Sequence, residues 1–281
     1  MAISLDRSST TAKRRAFRAL HGGPAILVLP NAWDVISARV YEDAGFPAVA
    51  TSSAGLANSL GYSDGNTLDV DLHLATLERM VGALDVPLSA DVESGYAPDT
   101  ASLNAFVARL AATGVAGYNL EDGMYEQEVF PVAEAADRVA AAKDAAPDLF
   151  LNARTDVYLA QIGAPETRFE ATVERLRAFA EAGADGVFVP GVADAETIRR
   201  LAQAVSLPLN VLAGPTVPDA ATLQRLGARR VSVGSSVMRR TLGVLREIAF
   251  ELRDAGTFTF TREPSVSYAE ANALVRDRDA G

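Results

Sequence analysis

Asp91 and Glu93 stand two residues apart in the stretch Leu88-Ser89-Ala90-Asp91-Val92-Glu93-Ser94-Gly95-Tyr96. Pro87, Leu88 and Ala90 read as a short buried strand, so both acids fall where that strand ends. In an extended chain, residues i and i+2 project to the same side, which predicts two carboxylates facing one point. A divalent cation would offset their repulsion, and hard oxygen ligands suit Mg2+ or Mn2+ better than Zn2+. Ser94-Gly95-Tyr96 supplies the turn that follows. The same pair would serve as a solvated loop start or a helix cap, and the recurrence of the pattern along the chain separates the two readings.

The pattern does recur. Ser52 and Ser53, Glu121 and Asp122, Arg154 and Asp156, Asn210, and Ser235 each lie at the end of a short apolar run. Strands are predicted at 25–29, 48–51, 88–90, 117–120, 149–153, 186–189, 207–211 and 230–233, each followed by a helical stretch and a Gly or Pro. Asp34 is placed to cap the helix after the first strand. Short strands that are apolar throughout are the mark of parallel strands buried on both faces. Eight such units in series predict one (β/α)8 barrel spanning residues 1–281, with an N-terminal helix at 10–22 and a tail at 255–281. In the tail, 257–260 reads as extended and 267–276 as a helix capped by Ser267. A doubly wound open sheet is the competing architecture, but no G-x-G-x-x-G turn follows any strand.

In a barrel the C-terminal strand ends share one rim, and chemistry sits there. The polar residues at the predicted strand ends therefore converge, and Asp91, Glu93 and Glu121 are expected to form a metal site. Arg154 then either pairs with a rim acid or grips a substrate carboxylate with its planar fork; the second role is favoured, with ion pairing alongside. His21 and His73 fall on helices away from strand ends and are expected to be surface or satisfied side chains rather than catalytic ones. Lys13-Arg14-Arg15 is expected to be a solvated face. Trp33 could line the rim or pack under the first helix, and Tyr62 and Tyr96 could line a pocket, donate a proton or simply pack.

Composition narrows the function. The net charge of −10 and a pI near 4.8 argue against a nucleic-acid or anionic-membrane surface. With no cysteine, disulfides, thiolate metal sites and a cysteine nucleophile or acid are excluded. No apolar run reaches the roughly 18 residues needed to span a bilayer, and no apolar leader segment opens the chain, so a cytoplasmic location is expected. Apolar residues make up 49%, enough for a large core.

Six motifs in order carry a resemblance: P-N-A-W-D at 30–34, S-S-A-G at 52–55, L-G-Y-S-D-G-N at 60–66, A-D-V-E-S-G-Y at 90–96, N-L-E-D-G at 119–123 and N-A-R-T-D at 152–156. Over about residues 25–250 the chain resembles the isocitrate lyase and phosphoenolpyruvate mutase superfamily. The resemblance implies a (β/α)8 barrel whose eighth helix is exchanged between subunits of a homodimer or homotetramer, with Mg2+ and a 2-oxo acid bound at the rim. It implies that Asp91 ligates Mg2+ directly and that Glu93 and Glu121 hold it through water. Ser52, Ser53 and Ala54 would hold the substrate carboxylate, with Arg154 facing the same ligand; Asp91 and Asn210 are also expected to bind substrate, and Asp64, Arg154 and Glu121 to be catalytic. Asp64 would lie on a mobile loop beside the reacting group. The shared chemistry is stabilisation of a pyruvate enolate by metal and arginine.

This chain also departs from the pattern. The lyases carry a K-K-C-G-H-type loop after the fourth strand, whereas 123–131 here has no Cys, Lys or His; the Lys-containing loop of the mutase and phosphonopyruvate hydrolase is missing too. Phe188-Val189-Pro190 stands where some members have Glu or His. The expected activity is Mg2+-dependent cleavage of a C–C bond in a small 2-oxo or 2-hydroxy acid resembling oxaloacetate. The alternatives are a C–P bond enzyme, for which Glu126 and Glu128 are poor company, and a non-catalytic binder of 2-oxo acids.

Overall fold

The computed structural model describes residues 9–124, 128–263 and 265–275. A single parallel sheet runs in the order β1-β11-β10-β9-β8-β5-β4-β3-β2. The strands are β1 (Leu27–Leu29), β2 (Asn31–Ala32), β3 (Val49–Thr51), β4 (Leu88–Asp91), β5 (Gly117–Glu121), β8 (Phe150–Arg154), β9 (Gly186–Val189), β10 (Leu209–Leu212) and β11 (Arg230–Ser232). β1 and β2 are two halves of one barrel strand, parted at Pro30, which has no N–H to give a ladder. The first half pairs with β11 and the second with β3, so the sheet closes on itself as a (β/α)8 barrel. Asn31 staples this seam: Nδ2 donates to Thr51 O at 2.7 Å, and Oδ1 accepts from Val233 N at 2.8 Å and Gly234 N at 2.9 Å.

The helices that return each strand are α2 (Val35–Asp43), α3 (Ser53–Ser59) and α4 (Val70–Ala83), α5 (Thr100–Ala112), α6 (Val132–Ala145), α7 (Arg168–Glu181), α8 (Ala195–Ala204), α9 (Ala220–Arg225) and α10 (Ser236–Phe250). Asp34, Asp69, Asp99, Asp194 and Asp219 cap five of them, each accepting an N–H from the first turn. These caps fix where each rim loop ends. The wall between sheet and helices is the main core, with Leu77, Met80, Leu103, Leu110, Leu151, Leu176 and Phe179 almost wholly buried.

The opposite mouth is plugged. α1 (Thr10–His21) lays Phe17 and His21 against Phe150, with the His21 ring stacked at 3.8 Å. Lys13 Nζ donates to Leu84 O, and Arg14 donates to Val115 O and Ala111 O. The expected solvated face therefore holds only for Arg15: Lys13 and Arg14 tie the plug to the strand starts.

The tail also departs from expectation. Thr259–Arg262 is a 3-10 helix, not extended chain, and α10 runs into a π-helical turn, Glu251–Ala255. α11 (Tyr268–Leu274) has the expected Ser267 cap, completed by Glu270, and docks on α2 where Arg39 Nε donates to Leu274 O at 2.6 Å. The end of the predicted tail helix, Arg276, lies outside the described residues, as does Glu126 in the loop after β5. Around that loop, β6 (Gly123–Met124) and β7 (Glu128–Val129) form a small antiparallel hairpin.

Candidate active site

Asp91 ends β4 with both carboxylate oxygens engaged. Oδ2 accepts from Ser53 N at 3.1 Å and Ser53 Oγ at 3.0 Å, while Oδ1 faces Asn119 Nδ2 at 3.4 Å. Its own N–H donates to Thr51 Oγ1. The Ser53 bonds aim Asp91 at the start of α3, and only 8% of the residue is exposed.

Glu93 reaches the same region by a different route from the predicted one. The strand stops at Asp91, and Glu93, Gly95 and Tyr96 all have positive φ, at 51°, 90° and 51°. Strand alternation therefore does not place Glu93; a tight left-handed turn does. Only glycine fits at position 95, because a Cβ there would come within 2.3 Å of Leu103 Cδ1. Left-handed backbone at two residues that are not glycine costs energy, and here it aims functional side chains. Glu93 Oε1 accepts from Tyr96 OH at 3.0 Å, and Oε2 accepts from Asn66 N. Asn66 Nδ2 reaches Ser94 Oγ at 2.9 Å. The loop bearing Asp64 is thus latched onto the turn that carries Glu93.

Arg154, at the end of β8, sits between two acids. Nη1 contacts Glu121 Oε2 at 2.7 Å, and Nε and Nη2 form a fork on Asp156 at 2.6 and 2.8 Å. Of the two roles weighed for Arg154, the ion pairing is the one formed here, and a substrate carboxylate would have to share the guanidinium with Glu121. Phe188 lies against its other side, 5.7 Å from ring centre to guanidinium carbon.

Burial and mutual repulsion raise the pKa of three carboxyl groups here, Glu93, Glu121 and Asp64. Glu93 is pushed up to about 7 by burial first, then by Asp64 and Asp91, against the pull of the Asn66 N–H. Glu121 is raised by burial and by Asp156, Asp91 and Glu93, with Arg154 opposing. Asp64 is raised by desolvation and by Asp91, with Arg154, the Gly65 N–H and Ser53 opposing. Carboxylates that cannot all ionise together are what a divalent cation relieves. Among the described residues no three His, Asp or Glu side chains stand close enough to ligate one ion directly. Direct ligation by all three of Asp91, Glu93 and Glu121 is therefore not formed among the described residues, and only an ion that keeps several of its waters, as Mg2+ does, would fit these carboxylates.

The other predicted residues fall as follows. Ser52 Oγ caps α3 by accepting from Gly55 N, and Ala54 lies in the first turn of that helix. Asn210 is not at a strand end: it is the second residue of β10, fully buried, and bonded to Ser232 Oγ at 3.3 Å. The strand runs two residues further because Val211 pairs on both sides and Leu212 pairs with Ser232 of β11. His21 and His73 are neither surface nor fully satisfied. His73 is wholly buried beside the Tyr96 ring with both nitrogens unpartnered, and His21 Nδ1 donates to Phe17 O while Nε2 has no partner.

Sequence reasoning missed a supporting layer. Asp122 Oδ2 pairs with Arg175 Nη1 at 2.9 Å and its Oδ1 accepts from Asp156 N, so α7 braces the Arg154–Asp156 fork from behind. Asn119 Oδ1 accepts from Asn152 Nδ2 at 2.9 Å and Arg230 Nη2 at 3.1 Å. A polar residue recurs inside otherwise apolar strands at Asn119, Asn152, Asn210 and Arg230, and that recurrence was visible in the sequence.

The family model for phosphoenolpyruvate phosphomutase matches residues 17–253. An uncharacterized protein of Mycobacterium tuberculosis (strain ATCC 25618 / H37Rv) is 35% identical over 264 residues, covering 93% of this chain and 96% of its own. The oxaloacetate decarboxylase of Pseudomonas fluorescens (strain SBW25) is 29% identical over 242 residues, 82% of this chain and 81% of that one. A crystal structure from Burkholderia cenocepacia J2315, described no further than lyase/mutase, superposes with a TM-score of 0.88 at 35% identity, covering 96% and 97% of the two chains.

Proposed function

This chain belongs to the phosphoenolpyruvate phosphomutase family, within the isocitrate lyase and phosphoenolpyruvate mutase superfamily, and on that footing we propose that it is a Mg2+-dependent carbon–carbon lyase acting on a small 2-oxo dicarboxylate of the oxaloacetate type. The observation that carries the reading is the acid cluster at the barrel mouth: Asp91, held at both oxygens, among carboxyl groups whose pKa values are raised by burial and mutual charge. The similarity to an oxaloacetate decarboxylase supports the choice of substrate.

Asp91, with Glu93 and Glu121 through water, would hold the cation, which supplies Lewis-acid stabilisation of enolate charge. The remaining work falls to this chain's side chains. The first turn of α3 offers the Ala54 backbone N–H to the substrate's C1 carboxylate, beside the Ser53 N–H that already holds Asp91. Arg154 places a fixed positive charge beside the developing enolate, oriented in advance by Asp156 and by Arg175 behind it. Loss of CO2 from C3 leaves the electron pair on the pyruvate enolate, and a proton then returns to C3. Asp64, with its raised pKa, carries that proton. Phe188 closes the wall beside Arg154 with an apolar face, which favours a short substrate. In the same reading the working form is a homodimer or homotetramer in the cytoplasm, with α10 packed on a second copy.

The test is a Mg2+-dependent turnover screen of oxaloacetate, 2-methylisocitrate, phosphonopyruvate and 2-oxoglutarate. Turnover of oxaloacetate, lost on adding EDTA and in Asp64→Asn, is the expected result. Turnover of phosphonopyruvate instead moves the broken bond from C–C to C–P, and binding without product in all four makes the protein a 2-oxo acid binder.

A further inference from the structure

Among the described residues, the largest wholly buried side chain is charged. Arg230, 1% exposed, starts on β11 between Leu27 of β1 and Asn210 of β10. It crosses the barrel interior to β5, where Nη2 donates to Asn119 Oδ1 at 3.1 Å. Nε and Nη1 have no hydrogen-bond partner, and no carboxylate forms an ion pair with it among the described residues. Asn119 stands between Arg230 and the acid site. Its oxygen is taken by Arg230 and Asn152, which turns its amide nitrogen toward Asp91 Oδ1. A neutral carboxamide thus keeps a buried cation and a buried anion apart.

A guanidinium buried without a counterion carries a standing desolvation penalty. Burial pulls Arg230 down to about 9, with the charge of Asp91 pulling the other way, so it is cationic at neutral pH. Replacing it by an apolar side chain would remove that penalty, so folding gives no reason to have it there. The site above it does give one. Among the described residues, Asp64, Asp91, Glu121 and Asp156 act on the Arg154 guanidinium, whose donors are already directed at Glu121 and Asp156, and Glu93 adds its charge beside Glu121. Even with a divalent cation among these acids, a dianionic substrate approaching that mouth meets repulsion that the cation and Arg154 do not fully offset.

We propose that Arg230 is an electrostatic positioning residue: a fixed positive charge beneath the acid site that draws a small dicarboxylate to the barrel mouth without touching it, kept unpaired by Asn119. In the low-dielectric barrel interior a charge acts over several ångströms with little screening. The proposal rests on the reading of the site as a divalent-cation and carboxylate site.

The test uses the full-length protein with two probes, Mn2+ alone and oxalate in the presence of saturating Mn2+, each titrated by calorimetry. Arg230→Met should weaken oxalate by about tenfold and leave Mn2+ alone bound as tightly or more tightly, since loss of a nearby cation does not repel another. Arg230→Lys should restore most of the oxalate affinity. Asn119→Asp should weaken oxalate with the arginine still present, because the new carboxylate pairs with it; this variant and the lysine one carry the test if the methionine variant does not fold. Oxalate binding unchanged in Arg230→Met and Asn119→Asp overturns the inference and leaves the site reading intact. Joint loss of Mn2+ and oxalate that lysine does not rescue overturns it in favour of a packing role. A wild-type protein that binds neither probe overturns the site reading, and the inference falls with it.

Discussion

Arg154 shows how one side chain can serve fold and chemistry together. Its guanidinium bridges Glu121 and Asp156, both mostly buried, so truncating it strands two carboxylates rather than removing one ligand contact. Arg154→Ala should therefore cost about 3 kcal/mol of stability at neutral pH as well as ligand affinity, measured by urea unfolding; a loss below about 0.5 kcal/mol would show that the fork contributes little to folding. Asp91→Ala is the opposite case. Asp91 organises Ser53 and faces the cation site, so Mn2+ binding should vanish while unfolding shifts by about 1 kcal/mol, and retained Mn2+ binding would remove Asp91 from the metal assignment. His21 gives the residue-scale pH dependence. Burial against Phe150, then the charge of Arg230, lowers its pKa to about 3, whereas the unfolded imidazole titrates near 6.5. The unfolded state takes up the proton first, so the contribution is fully present above about pH 6.5 and is lost as pH falls toward 3, at up to about 1.4 kcal/mol per pH unit. Urea unfolding between pH 7 and 5 should show a shallower pH slope in His21→Leu than in wild type; equal slopes would mean that the folded imidazole protonates freely.

At the scale of elements, the barrel is held closed at a break in its first strand. Pro30 parts β1 from β2, and the Asn31 side chain supplies the hydrogen bonds across the seam. Asn31→Ala leaves two donors and an acceptor without partners and should cost about 2 kcal/mol, with hydrogen exchange accelerating first at Val233 and Gly234. Unchanged protection there would show that the seam closes without the staple. The eight βα units were legible because buried parallel strands are short apolar runs, and because aspartate caps and glycine stops mark the helices between them. Asp91, Glu121 and Arg154 were legible for the same reason: they stand at strand ends. The break at Pro30 was not, since 25–29 and 31–32 make one strand in shape and two in pairing. Nor was the course of Glu93, because spacing two apart implies a common face only while the chain stays extended, and the left-handed turn at 93–96 follows from Leu103 packing against Gly95. Asn210 was placed one layer too high because its strand continues to Leu212. The Asn119–Arg230 layer needs contacts across the barrel between strands far apart in sequence, which no local pattern supplies.

For the whole molecule, one helix does not belong to the barrel wall as the others do. α10 has 15 residues, and only Met238 among them is buried. Leu242, Leu245 and Phe250 are 46%, 59% and 48% exposed, and Leu252 and Phe258 extend the apolar surface into the following turn. A helix this short gains little stability from its own backbone, and an apolar stripe of this extent on water marks an interface. The other barrel helices bury such stripes against their own strands; in the function proposed above, the surface that covers α10 is that of another copy of the chain, as the resemblance to families with an exchanged eighth helix implies. The consequence is measurable without knowing the substrate. Sedimentation should give a multiple of the 29.6 kDa chain, and Leu245→Asp should shift the population toward the single-chain mass. On an isolated chain the same substitution, at a side chain already facing water, would change stability by less than about 0.5 kcal/mol. Comparing unfolding of wild type and variant across protein concentration therefore separates the cases: a concentration-dependent midpoint in wild type alone places α10 in an interface, whereas a 29.6 kDa wild type with a fixed midpoint would leave this helix exposed in the working enzyme.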